Sequence, residues 1–161
     1  MIPHNSVFAP ILTPFDDSGA NIDTAAFTQH LQYLTNAGLD GVLVLGTNGE
    51  FAHLRDTEKS ELVDLALQIE ELQVIAGGTV PDSIEGTLAL CSALNKHGSR
   101  LAGILVAPPF YGEYKSGHKI SEKTVMERLV DSFYPVTPII SRMLRGEEII
   151  VSQEIYRVIN C

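Results

Sequence analysis

Four short apolar runs recur about every thirty residues: Val7 to Leu12, Gly41 to Leu45, Val74 to Gly77 and Gly103 to Val106. This is the feature that most limits the fold. The runs are continuous rather than alternating, so each strand is expected to be buried on both faces, as in a parallel sheet covered by helices. The segments between them carry helical spacing. A helix expected from about Asp23, a suitable N-cap, presents Phe27, Leu31 and Leu34 and stops near Gly38. A second begins near Asp56-Thr57 and presents Leu62, Leu65, Ala66 and Ile69. A third starts near Asp82-Ser83, presents Ile84, Leu88, Cys91 and Leu94, and ends at Gly98. Consecutive right-handed βα units build either a (β/α) barrel or a doubly wound sheet.

The text changes after about Lys115. A helix over Ser121 to Ser132 is expected, ended by Pro135. Val136 to Ser141 reads as a fifth strand, made irregular or placed at an edge by Pro138, and Glu148 to Ser152 as a short sixth. Residues 1–114 therefore form one region of βα units and residues 115–161 a divergent C-terminal segment.

The chain has 161 residues, 45% of them hydrophobic, which suits a globular domain with a core. A formal net charge of -9 disfavours nucleic acid and anionic membrane, which need clustered Lys and Arg. Pro3, Pro10 and Pro14 interrupt the N-terminal stretch, which reads as neither signal peptide nor membrane span. Cys91 and Cys161 lack metal-ligand spacing, and Cys91 falls on an apolar helix face as an inert core thiol. A reduced, cytoplasmic protein fits. The five histidines, His4, His30, His53, His97 and His118, show no ligand spacing, so no metal is expected.

Ligands of parallel α/β folds bind at the C-terminal ends of strands. Three segments lie at such ends. Gly46-Thr47-Asn48-Gly49-Glu50 follows the second run. Its glycines let backbone turn sharply or approach a ligand, successive N–H groups form an anion nest, and Thr47 and Asn48 add side-chain donors. An ordinary turn is the competing reading. Ala107-Pro108-Pro109-Phe110-Tyr111 follows the fourth run, and Tyr111 either relays a proton or packs on the loop. Thr13-Pro14-Phe15 follows the first, as a binding residue group or as a turn with a buried Phe. Arg142, ending the fifth run, reads as a solvated charge.

Together, "FAPILTPFDDSGANID", "AGLDGVLVLGTNGEFAHL", "VIAGG" and "GILVAPPFY" resemble, in order and spacing, the dihydrodipicolinate synthase / N-acetylneuraminate lyase family over residues 6–114. The resemblance implies a class I, Schiff-base aldolase of the TIM (β/α)8-barrel type, of which about the first half to two-thirds is present here. It implies a substrate such as pyruvate or another 2-oxo acid, no cofactor, and homo-oligomers among full-length members. It makes Gly46, Thr47, Asn48 and Gly49 the cradle of the substrate carboxylate. Thr47 takes the family's proton-relay hydroxyl, and Tyr111 matches the tyrosine after strand four that in many members crosses a dimer interface. Many members carry a hydroxyl where Asn48 stands; Asn also occurs in the hydroxy-oxoglutarate aldolase branch.

The departures concern the chemistry. The family's strand-five Tyr and strand-six Lys, which passes the substrate through an imine, have no counterpart: Pro138-Ile139-Ile140-Ser141-Arg142 stands in place of the first, and no Gly-x-Lys follows a buried strand. Lys59, Lys96, Lys115, Lys119 and Lys123 are all expected in helices or solvated loops. Two functions follow: a lyase-family chain that is incomplete, inactive or weakly active, or a non-catalytic truncated paralogue that binds a carboxylate or joins full-length subunits. A flavodoxin-like binding domain is a third, poorer reading, because Asp16 and Asp17 would repel phosphate after strand one.

Overall fold

The computed structural model describes residues 6–81, 83–106, 139–141, 149–151 and 154–156, the side chain of Ile84 and those beyond residue 106 excepted. Two compact units divide the chain: Met1–Gly77 with Arg100–Ala102, and Gly78–Ser99 with Gly103–Cys161.

The first unit holds strands β1 (Phe8–Pro10), β2 (Gly41–Val44) and β3 (Gln73–Gly77) and helices α1 (Thr24–Asn36) and α2 (Asp56–Ala66). β1 pairs with β2 and β2 with β3, both parallel, with Ala9 opposite Val42 and Val42 opposite Val74. Consecutive parallel strands joined through helices are the βα units the apolar runs imply. Val42, Val44, Val74 and Ala76 are fully or almost fully buried. Leu43 and Ile75, on the opposite face, are half-buried, so both faces of the strands are covered, and burial of each large apolar side chain contributes about 1.5–3 kcal/mol.

α1 obeys its sequence signals and α2 departs from them. In α1 the Asp23 carboxylate accepts from the Ala26 amide at 2.9 Å, and Phe27, Leu31 and Leu34 are buried. Gly38, at φ +80°, ends it, with the amides of Gly38 and Leu39 bonded to the carbonyls of Thr35 and Leu34. In α2 the buried stripe is Lys59, Leu62, Val63 and Ala66, while Leu65 is half-buried and Ile69, expected on the helix face, lies past its end at Ala66. Lys59 falls in a helix, as expected, but on its buried face, at 9% exposed. It shares the inward face with Leu62, Val63 and Ala66, where its methylenes can lie along apolar surface while its Nζ reaches Asp56 Oδ1 at 3.3 Å.

The second unit holds α3 (Ile84–Asn95), β4 (Gly103–Val106), β5 (Ile139–Ser141), β6 (Ile149–Val151) and β7 (Glu154–Tyr156). Ser83 caps α3 by accepting from the Gly86 amide at 2.8 Å. The helix stops at Asn95, short of the expected end at Gly98, which opens a separate 3-10 turn. Thr87, Cys91 and Leu94 are buried and Leu88 half-buried; Ile84 falls outside the described side chains. Cys91 is the inert core thiol expected: it is fully buried, it donates to the Gly78 carbonyl at 3.5 Å, and burial pushes its thiol up to about 12. β5 runs parallel to β4, with Ile104 opposite Ile139. It falls within the apolar run 136–141, whose first three residues lie outside the described ones. β6 and β7 form an antiparallel pair, Ile149 opposite Tyr156. The second of these strands is absent from the sequence reading, since three residues are too few to show a period of two. The expected helix over 121–132 and the division at 114/115 lie outside the described residues.

Candidate functional site

In the turn after β2 the glycines are not the left-handed residues. Gly46 is extended, at φ -79° and ψ 176°, and Thr47–Gly49 form one 3-10 turn. The left-handed residues are the non-glycines on either side: Leu45 at φ 60° and Glu50 at φ 52°. Leu45 consequently leaves the strand, which ends at Val44 rather than at residue 45. A left-handed non-glycine costs about 1–2 kcal/mol, so two of them mark backbone held in place by its surroundings.

Gly49 serves close approach instead. It is buried, and a Cβ there would lie 3.0 Å from the Ile11 carbonyl oxygen and 3.4 Å from Thr13 Oγ1. Thr13 is 9% exposed and donates its hydroxyl proton to the Gly49 carbonyl at 2.7 Å. Ile11 is itself held to β2, its amide bonded to Leu43 O at 3.1 Å. Gly77 is the second close approach: a Cβ there would overlap the Leu45 carbonyl.

Within the turn, the amides of Gly49 and Glu50 bond to the carbonyls of Gly46 and Thr47 at 3.0 and 3.1 Å. The amides of Thr47 and Asn48 open the turn, where no preceding helical carbonyl can accept from them. The side chains of Thr47 and Asn48 are exposed. The turn thus carries two adjacent amides without a backbone partner among the described residues, a hydroxyl and a carboxamide, a donor set suited to one carboxylate.

The structure brings Thr13 to this turn. Tyr111 and Arg142 lie outside the described residues. On the flank of Glu50 a cavity of about 440 Å³ is lined by Phe15, Gly19, Ala20, Glu50, His53, Arg55 and Glu58. Arg55 and Glu58 are engaged with each other there: Glu58 accepts from the Arg55 amide at 2.7 Å and from its Nη2 at 2.5 Å. The bond from the Arg55 side chain is the main cause holding the Glu58 carboxyl below its usual range. Phe15, expected to be buried if Thr13-Pro14-Phe15 were a plain turn, is instead 36% exposed on the wall of this cavity. The sequence reading did not find the Thr13–Gly49 bond, which joins residues thirty-six apart; a threonine at a strand end carries no mark of its long-range acceptor.

No described helix is long and apolar enough to cross a membrane. Residues 3–127 match the Dihydrodipicolinate synthetase family, past the end of the resemblance expected at residue 114. An L-threo-3-deoxy-hexylosonate aldolase of Aspergillus niger is 33% identical over 118 residues, covering 70% of this chain and 34% of the relative. A 4-hydroxy-tetrahydrodipicolinate synthase of Thermotoga neapolitana is 31% identical over 127 residues, covering 74% of this chain and 42% of the relative. Among solved structures, a dihydrodipicolinate synthase of Cyanidioschyzon merolae superposes with a TM-score of 0.71 at 25% identity, covering 86% of this chain and 45% of that one. The N-acetylneuraminate lyase of Proteus mirabilis shares the fold with a TM-score of 0.70 at 22% identity, covering 84% and 44%. The chain therefore spans less than half the length of these relatives, and its fold is part of a barrel of the TIM (β/α)8 type rather than a flavodoxin-like sheet. The chain belongs to the dihydrodipicolinate synthetase family.

Proposed function

We propose that the Gly46–Glu50 turn binds the carboxylate of pyruvate or a related 2-oxo acid, as the recognition half of an aldolase-type lyase site. The observation that carries this reading is the turn itself: the amides of Thr47 and Asn48 at the start of a 3-10 turn, without a backbone partner among the described residues, flanked by left-handed Leu45 and Glu50, at the C-terminal end of a buried parallel strand. A carboxylate there would take backbone donors from Thr47 and Asn48 and side-chain donors from the same two residues. Gly46 and Gly49 form the wall, Gly49 by its fit beneath Ile11. Thr47 and Tyr111 are assigned the proton relay, on the family resemblance.

The covalent half of the reaction needs an uncharged amine to attack the substrate carbonyl. Lys59 lies on α2 in an ion pair with Asp56, and Lys96 is an exposed residue after α3. Neither sits at a strand end, where the site lies. Lys115, Lys119 and Lys123 lie outside the described residues. Because the family's strand-six Lys has no counterpart in the sequence, these 161 residues alone are assigned carboxylate binding without imine formation. A non-catalytic relative that binds a carboxylate, or that associates with longer subunits, is the second reading.

Borohydride reduction in the presence of pyruvate, followed by intact mass and peptide mapping, tests both parts. No stoichiometric adduct is expected, while ligand-observed NMR should show pyruvate binding that Thr47→Val weakens. A single-lysine adduct lost in Thr47→Val would make the chain a working aldolase. Equal binding of pyruvate and acetone, which lacks the carboxylate, would remove the cradle.

A further inference from the structure

We propose that Thr13 is a positioning residue of the carboxylate turn: its hydroxyl clamps the Gly49 carbonyl and so holds the Thr47 and Asn48 amides open toward the ligand. The proposal rests on the reading of that turn as a carboxylate site.

The turn has little to keep it in place locally. Its own bonds are two 3-10 bonds, Gly49 to Gly46 and Glu50 to Thr47, and beyond it the Glu50 carbonyl accepts only from the next short turn, from the His53 amide at 2.9 Å, among the described residues. Against them stand two left-handed non-glycine residues, Leu45 and Glu50. A short 3-10 turn with that backbone cost relaxes unless something outside it fixes one end. Leu45 is fixed by burial, at 3% exposed. Glu50 is exposed, so the other end has no such anchor in its own side chain.

Thr13 supplies that anchor. The Gly49 carbonyl comes at the C-terminal end of the turn, where carbonyls lack helical partners. The Thr13 hydroxyl meets it at 2.7 Å in a buried setting. Thr13 follows Ile11, whose amide is tied to β2 through Leu43, so the clamp is referred to the sheet and not to another loop. Gly49 makes the geometry possible, because a Cβ would press on the Ile11 carbonyl at 3.0 Å. A hydroxyl has one proton, and Thr13 gives it to Gly49. Thr13 therefore donates nothing to a ligand and acts through the turn.

The test compares the full chain with Thr13→Val, Thr13→Ser and, as a control for loss of a buried threonine, Thr87→Val. Thr87 is 5% exposed and bonds to Val80 in the second unit. Pyruvate affinity by NMR titration and amide exchange at Gly49 and Glu50 are measured on each folded protein. Loss of one buried hydrogen bond corresponds to about tenfold weaker pyruvate binding in Thr13→Val. The Gly49 and Glu50 amides should exchange faster in that variant. Thr13→Ser should restore both, and Thr87→Val should change neither. Unchanged affinity and exchange in Thr13→Val, or failure of Thr13→Ser to restore them, overturns the proposal. If the unsubstituted chain binds no pyruvate, the carboxylate reading falls, and the exchange rates in Thr13→Val and Thr13→Ser still decide whether Thr13 holds the turn.

Discussion

The two connections that leave strands β1 and β2 solve the same problem in opposite ways. The Asp16–Asn21 loop after β1 is closed by its own side chains. Asp16 accepts from the Ser18 hydroxyl at 2.6 Å, from the Asn21 carboxamide at 2.8 Å and from the amides of Ser18 and Ala20. Its one left-handed residue is Gly19, with nothing within 4 Å of where a Cβ would be. The turn after β2 places its left-handed backbone on Leu45 and Glu50, uses its buried glycine for contact, and depends on Thr13 from elsewhere in the chain. Self-contained hydrogen bonds and a glycine where φ is positive describe a loop selected for being a loop. Strain on non-glycines, compensated from a distance, describes backbone selected for what it presents.

The contrast can be broken most forcefully at Gly77. A Cβ there would overlap the Leu45 carbonyl, which is backbone and cannot swing away. Gly77→Ala should destabilise the chain by about 3 kcal/mol or more, measured by urea unfolding; a loss under about 1 kcal/mol would mean that Leu45 is free to leave its left-handed conformation. Next comes Thr13→Val, which leaves the buried Gly49 carbonyl without its donor and should cost about 1–3 kcal/mol in the same assay. Gly19→Ala forces a methyl-bearing residue to φ +69° in open space, so a cost of about 1 kcal/mol is expected with no shift at Thr47 or Asn48. A response at Thr47 would show that the two connections are coupled.

The smallest effect concerns pH. Hydrogen bonds, chiefly from Ser18 and then Asn21, lower the Asp16 pKa from 3.8 to about 2. A lowered folded-state pKa adds stability that is present above the unfolded value and is lost as pH falls through the folded one. The loop should therefore keep its bonds at pH 4 and release them as pH approaches about 2. A side-chain carbon NMR titration of Asp16 with a midpoint near 3.8 would contradict those bonds.

Much of the fold was legible because its signals are local or periodic. β4 occurs at 103–106, where four apolar residues stand together, and α1 runs from its Asp23 cap toward Gly38 with the expected buried face. What was missed depends on partners distant in sequence. Neither Lys59 nor Val63 is among the residues that helical spacing assigned to the inward face of α2, where both are buried. At the candidate site, the position of the turn could be read from Gly46 and Gly49, but their work could not. Glycine is compatible with positive φ and with close contact alike, and only the neighbouring Ile11 carbonyl distinguishes the two.

The measurement closest to the central proposition is an amide NMR titration of the full chain with pyruvate. The account predicts saturable shifts at the Thr47 and Asn48 amides, with smaller ones at Gly49 and Glu50 and none in the Asp16–Asn21 loop. Shifts confined to that loop, or to residues lining the cavity beside His53 and Arg55 with Thr47 and Asn48 unmoved, would contradict it.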